Sequence, residues 1–323
     1  MKVNIGPMPP PIGGVSTHLF RAKDILREAV VQSNQKPWSF LIQVMDIKGS
    51  VIYLHDFSRK SMIFIFVKIC FFNRGCSLIL VNHNYGVFRD IHTLRIYRRI
   101  IFRYLLAKAT CVYHVNTILL DTFKHDYPRI NTEVFDPFIP PTTQKCIDIR
   151  EFYAPETVMF IESQQILIVA GAFRLSFHNG EDLYGFDMLI ELISHLRHKL
   201  KCKIGLLFGL ADSASNQDYY NTCIARMYEL GLQDSIKVLE NQQLLWPAIS
   251  RADMLIRPTN TDGDPISIKE AVYFSVPVIA SDCTVRHEKA ILFKSRDQDS
   301  LNAVVHDCIC EQCFLTRKLK AEA

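Results

Sequence analysis

Short β-branched runs alternate with longer stretches of helical period along the first half of the chain. Lys2–Ile5, Ser39–Met45, Val51–His55, Leu78–Asn82, Cys111–His114 and Glu133–Phe135 read as strands. Val15–Val31 and a stretch that closes at Ala109 read as helices. Such alternation predicts a parallel sheet covered on both faces. The second half repeats the logic, with strands at Gln165–Ala170, Ile204–Phe208, Ile236–Leu239, Met254–Ile256 and Val278–Ala280. Helices are expected at Gly185–Leu200, Gln217–Leu230 and Ile266–Phe274. Between the halves, Pro137–Glu162 loses periodicity and collects Pro137, Pro140, Pro141 and Pro155, with Pro128 just upstream. The expectation is two doubly wound α/β domains, 1–150 and 151–323, facing each other across a cleft. Ligands of such sheets sit at the carboxyl ends of the strands.

Length agrees with that division, because 323 residues exceed what one core usually organises. Apolar residues make up 49% and charged ones 22%, a globular composition. The net charge of +4 is too small an excess to argue for a nucleic-acid partner. The opening MKVNIGPMPPPIGG breaks into Pro and Gly before an apolar run forms, so no signal peptide is read and the ten cysteines are expected as free thiols in a reducing cytoplasm. Met62–Phe72 is the most apolar segment. It is too short to span a bilayer and is interrupted by Lys68, so it reads as a buried helix.

The chemistry concentrates in Arg257–Asp282, RPTNTDGDPISIKEAVYFSVPVIASD. Asp262-Gly263-Asp264 fits an acid-x-acid pattern that holds a divalent ion against a diphosphate, but three residues are little information. Its position says more. It follows a strand, carries Gly263 for a tight turn and Pro265 for a first helical position, and leads into Ile266–Phe274. The amides of Ile266, Ser267 and Ile268 would then face a phosphate at a helix N-terminus. Glu270 is placed for the vicinal hydroxyls of a ribose, and Asp262 for a sugar.

The whole run, together with Trp246–Pro258 before it and Pro277–Ser281 after it, resembles the donor-binding motif of the retaining glycosyltransferases of GT-B fold known as family 4. Gly13-Gly14-Val15-Ser16-Thr17-His18 is similar to that family's glycine loop at the start of its first helix. The resemblance implies two Rossmann-like domains and transfer of a sugar from a nucleoside diphosphate to a glycan or lipid-linked acceptor, with retention of configuration. Arg174 and a helix N-terminus can stabilise the leaving diphosphate, so no metal or other cofactor is expected. The resemblance implies Glu270 on the ribose, Asp262 on the donor sugar, and the amides of Ile266–Ile268 with Arg174 on the diphosphate. It further implies Gly13 and Gly14 beside the phosphates, and a strand-end histidine on the donor sugar. Family members more often carry Glu where Asp262 stands, and a Lys-Gly pair where this chain has Tyr184-Gly185.

Three histidines end strands of the first half: His55, His83 and His114. His83 is preferred, since it closes a strongly apolar strand and is followed by Asn84 and Gly86. His18 either faces the cleft or packs. Leu94–Lys108 sets Arg95, Arg99 and Arg103 on one helical face and Leu94, Tyr97, Ile101 and Leu105 on another, which suits a solvated surface or peripheral contact with an anionic membrane. His306, Cys308, Cys310 and Cys313 crowd together but lack the two separated ligand pairs of a zinc site. Two other readings keep the fold: a sugar-nucleotide 2-epimerase, and a non-catalytic partner subunit, for which Tyr184 and the shorter Asp262 speak.

Overall fold

The computed structural model describes residues 1–10, 13–83, 88, 91–142, 147–241 and 244–310. The chain divides into two compact units, Met1–Thr142 and Thr143–Ala323.

The first unit runs β1 (Lys2–Gly6), α1 (Gly14–Asp24), β2 (Ala29–Gln32), α2 (Pro37–Asp46), β3 (Val51–Leu54), α3 (Arg59–Phe71), β4 (Ser77–Asn82), α4 (Ile96–Lys108), β5 (Cys111–His114), α5 (Thr117–Asp126) and β6 (Thr132–Val134). The strands form one parallel sheet in the order β2-β1-β3-β4-β5-β6. Ile5, Ile52, Leu54, Leu78 and Leu80 pack against Phe40, Met62, Ile65, Phe102 and Leu105 of the helices. The order reverses between β1 and β3, and such a reversal opens a crevice at the carboxyl ends of the two strands.

The second unit begins with α6 (Pro155–Glu162) and β7 (Ile166–Arg174), followed by the two-residue strands β8 (Phe177–His178) and β9 (Glu181–Asp182). It continues through α7 (Phe186–Lys199), β10 (Ile204–Asp212), α8 (Gln217–Glu229), β11 (Ile236–Glu240), α9 (Trp246–Ile249), β12 (Met254–Arg257), α10 (Ile266–Tyr273), β13 (Val278–Ser281), β14 (Ala290–Phe293) and α11 (Gln298–Cys310). Its sheet is again parallel, ordered β11-β10-β7-β12-β13-β14. Alternate residues of β7 serve opposite cores: Ile168 and Ala170 face α7, α8 and α11, while Leu167 and Val169 face α6, α9 and α10. Here the order reverses between β7 and β12.

Several elements differ from the expected pattern, among them α6, inside the stretch read as aperiodic, and β14, which was not read as a strand. The helix expected over Val15–Val31 ends at Asp24, the chain turns through Arg27 at φ 57°, and Ala29–Gln32 joins the sheet edge beside β1. The run Ser39–Met45 is helical, not extended: Pro37 occupies the first turn, and only Phe40 and Val44, four apart on one face, are buried. Helix α5 lay outside the strand-and-helix reading, although Asn116 caps it by accepting from the Leu119 amide at 2.8 Å.

Lys68 does not interrupt the apolar helix α3 so much as complete it. Its side chain is fully buried and its ammonium donates to the carbonyls of Met45, at 3.0 Å, and Ile47. Those carbonyls end α2, where unpaired acceptors and the helix dipole both favour a cation. No described helix is long and apolar enough to cross a membrane. In α4, Phe102, Leu105 and Leu106 are buried, whereas Tyr97, grouped with Leu105 on one face, lies outward with the Arg59 guanidinium 5.7 Å from its ring.

Candidate functional site

The carboxyl ends of β7 and β12 bring the acid motif together with arginines. Asp262 sits in the turn after β12, and its carboxylate is enclosed. Arg257, the last residue of β12, grips it with Nε at 2.9 Å and Nη2 at 3.1 Å. Arg286 adds Nη1 at 2.8 Å, and the Thr259 hydroxyl donates at 3.1 Å. Burial alone would raise the Asp262 pKa, but Arg257 and then Arg286 outweigh it and hold the carboxyl well below the usual range. The arginines are anchored in turn: Arg257 Nη1 donates to the Gly171 carbonyl at 3.1 Å, and Arg286 donates to the Ser281 carbonyl at 2.9 Å and the Thr259 hydroxyl at 2.8 Å. Asp264 pairs with Lys269 at 2.6 Å. Both acids of the Asp-Gly-Asp turn therefore have cation partners.

Helix α10 starts at Ile266, with Pro265 at the cap position instead of the first helical position. No side chain caps it. Of the three amides expected to face a phosphate, that of Ile268 donates to the Pro265 carbonyl at 3.2 Å, because the first turn is wound tightly. The amides of Ile266 and Ser267 lie too early in the helix for an intrahelical acceptor. Glu270 is one turn further on and buried at 5% exposure, and its charge adds to the burial that raises the Tyr153 pKa. Arg174 closes β7, exposed, in register with Asp212 of β10.

Tyr184 and Gly185 stand at the start of α7. Gly185 has φ 66°, and a Cβ there would meet the Pro258 carbonyl oxygen at 2.6 Å, so glycine is required by conformation and by space. Asp182, nearly fully buried, accepts from the amides of Tyr184 at 3.0 Å and Phe186 at 2.8 Å and so fastens this turn. The Tyr184 ring lies 5.3 Å from the Arg257 guanidinium carbon, a cation–π contact where the family motif would set a lysine.

In the first unit, Gly13 caps α1 with an extended backbone, φ −149°, which any residue adopts. Its amide donates to the Ser16 hydroxyl at 2.9 Å. Among the described residues, a Cβ at Gly13 would come no closer than 3.9 Å to any atom and one at Gly14 would touch nothing, so crowding within the protein does not explain these glycines. Beside them, at the reversal between β1 and β3, His18, His55 and His83 form one cluster with ring centroids 5.1–6.1 Å apart. His55 Nδ1 lies 2.8 Å from His83 Nε2. Burial keeps all three neutral: the His83 pKa is pushed down to about 3, with His18 adding repulsion, and those of His18 and His55 are also lowered. His114 stands apart in the core beside Phe123, its pKa pushed down to about 4 by burial. Asn84, Gly86 and Cys313 lie outside the described residues. Among the described residues no group of His, Cys, Asp or Glu is arranged to hold a metal ion, and the eight cysteines are free.

Sequence reasoning placed Asp262 but missed Arg257, Thr259 and Arg286. Arg257 directly follows a predicted strand, five residues before the acid, a legible signal. Arg286 lies beyond the motif and has none.

Residues 165–318, within the second unit, match the family model described as Glycosyl transferases group 1. Among solved structures the chain is similar to HepE of Anabaena in complex with UDP, at 16% identity and a TM-score of 0.66, covering 97% of this chain and 91% of that one. It is similar to sucrose-phosphate synthase of Thermosynechococcus elongatus at 13% identity and a TM-score of 0.64, with coverage of 97% and 91%. A glycosyltransferase of Rickettsia africae follows at 11% identity and a TM-score of 0.61, covering 96% and 88%. No curated protein matches the chain. The two parallel six-stranded sheets and these neighbours define the architecture as GT-B, built from two Rossmann-like units.

Proposed function

We propose that this protein is a retaining glycosyltransferase of family 4, which takes a sugar from a nucleoside diphosphate without a metal and delivers it to a glycan or lipid-linked acceptor. The observation that carries the reading is the coincidence of the matched domain with an anion-friendly strand end. The N-terminus of α10 and the exposed Arg174 both lie at the carboxyl ends of the second sheet. Breaking a sugar–phosphate bond needs stabilisation of charge on the departing diphosphate, and amides with a guanidinium supply it. Glu270 is the ribose ligand on this reading. UDP and UDP-glucose bound to HepE support a nucleotide-sugar donor.

The acceptor side draws on the first unit. Ile96 and Ile100 of α4 are 71% and 62% exposed, beside exposed Arg95 and Arg103. Apolar and basic groups on one outward face suit peripheral attachment to an anionic cytoplasmic leaflet, where a lipid-linked acceptor would be met. One observation favours binding without turnover: Asp262 is enclosed and Tyr184 replaces the second cation. A panel of nucleotide sugars decides, with nucleoside diphosphate release as the signal. The expected result is release with at least one donor, reduced about tenfold or more by Arg174→Ala with no loss of stability, since Arg174 is exposed. Binding without release under any plausible acceptor favours the non-catalytic subunit, and absence of binding refutes both.

A further inference from the structure

The polar side chains along the first sheet are wired in one direction. Lys2 Nζ lies 3.0 Å from Glu28 Oε1. Glu28 Oε2 accepts from Asn4 Nδ2 at 2.7 Å. Asn4 Oδ1 lies 3.1 Å from His55 Nε2, and His55 Nδ1 lies 2.8 Å from His83 Nε2.

An ionised carboxylate offers only acceptors. Asn4 must therefore turn its NH₂ to Glu28 and its carbonyl to His55. A carbonyl accepts, so His55 carries its proton on Nε2 and a lone pair on Nδ1. The contact with His83 is then a hydrogen bond only if His83 Nε2 bears the proton. His83 Nδ1 is left as a bare acceptor, since a neutral imidazole has one donor and one acceptor. His18 is fixed separately: its Nδ1 lies 2.6 Å from the Pro137 carbonyl and must donate, which leaves Nε2 as a lone pair that is buried and without a partner among the described residues.

We propose that Glu28 is a positioning residue that, through Asn4 and His55, fixes His83 as its Nε2–H tautomer, so that His83 Nδ1 accepts a hydrogen bond from a substrate hydroxyl. A bare nitrogen receives a hydroxyl and rejects an anionic oxygen, so the relay sets which part of a substrate this position takes. That the hydroxyl belongs to a sugar rests on the transferase reading. The tautomer does not.

The full chain, labelled with ¹⁵N-histidine, reports the tautomers directly through two- and three-bond ¹H–¹⁵N correlations at neutral pH. The expected native spectrum has His55 and His83 both protonated on Nε2, and His18 on Nδ1. Glu28→Gln lets either end of a side-chain amide meet Asn4, so Asn4 turns over in part and His83 becomes a tautomer mixture. Asn4→Asp combined with Glu28→Gln places an acceptor-only group one step along and restores the native pattern. With nucleotide sugar, Glu28→Gln raises the donor KM about five- to tenfold and the double variant recovers it, as expected for one hydrogen bond. A native His83 protonated on Nδ1 overturns the proposal without need of any variant. So does a folded Glu28→Gln protein with unchanged tautomers. Absence of turnover with every nucleotide sugar refutes the transferase reading, while the ring assignment stands or falls on the spectra alone.

Discussion

Replacing Asp262 by Asn tests whether this acid is a fastener of the second unit or a ligand for sugar. The side chains of Asp262, Arg257 and Arg286 are only 10%, 15% and 1% exposed. Removing the carboxylate leaves two guanidinium groups facing a neutral amide, whose NH₂ adds a donor where only acceptors fit. Breaking a buried ion pair from one side costs about 3–5 kcal/mol. At a urea slope of about 2–3 kcal/mol/M, the midpoint of the second unit falls by roughly 1–2.5 M. The protein supplies its own probe, because Trp246 is buried in the second unit while Trp38 in the first is 77% exposed. Fluorescence in a Trp38→Phe background therefore follows the second unit alone. The same pair gives a pH signature. The folded pKa of Asp262 lies below its unfolded value, so its contribution is present above about pH 4 and is lost only as pH falls toward the folded pKa. A variant that keeps its midpoint within about 0.3 M of the parent, yet loses nucleoside diphosphate release, refutes the fastener reading. Asp262 would then be a sugar ligand that releases its arginines when substrate arrives.

Gly185→Ala forces a Cβ to within 2.6 Å of the Pro258 carbonyl at a positive φ, and is expected to lower the Trp246-monitored stability by about 2 kcal/mol or more. An unchanged midpoint would contradict the close approach of α7 to β12. Stability of the first unit should fall as pH drops below about 6.5, because His83 is neutral in the fold down to about 3 while the unfolded chain takes up a proton; the loss is about 2 kcal/mol at pH 5 from this residue alone. Amide exchange of β4 measures it, and equal protection at about pH 7 and pH 5 would count against the neutral cluster. Ile96→Glu with Ile100→Glu should weaken binding to phosphatidylserine vesicles about tenfold or more, and undiminished sedimentation with vesicles would remove α4 from the membrane contact.

Much of the fold was legible because a parallel sheet writes itself as β-branched runs between turn residues, and every such run in the second half became a strand. The failures share a cause. Val30 and Val31 continue an apolar pattern across a helix end that has no glycine or proline stop, so only the turn at Arg27 reveals that the chain has reversed. Phe40-Leu41-Ile42 looks like a buried strand, but its burial follows a period of four and Ile42 is 66% exposed. In the site, the acids and the helix start were read, but the partners of Asp262 were not, neither Arg257 and Thr259 close by in sequence nor Arg286 far from it. Asp262, Glu270 and the start of α10 sit within one turn-and-helix, whereas Arg286 reaches Asp262 from 24 positions away and Glu28 reaches Asn4 from the same separation. Side-chain partnerships of that kind are made by topology, and one strand's period carries no trace of them.

The fastening of residues 184–186 separates frame from charge. Asp182 holds the backbone by its amides and Gly185 lies against Pro258, while the side chain of residue 184 itself takes no part in either contact. Position 184 thus hangs from a mount that its own side chain does not hold, and the ring it carries makes its contacts with the Arg257 guanidinium and the core. A cation in its place would face Arg257 as a like charge, so the aromatic ring and the arginine belong together.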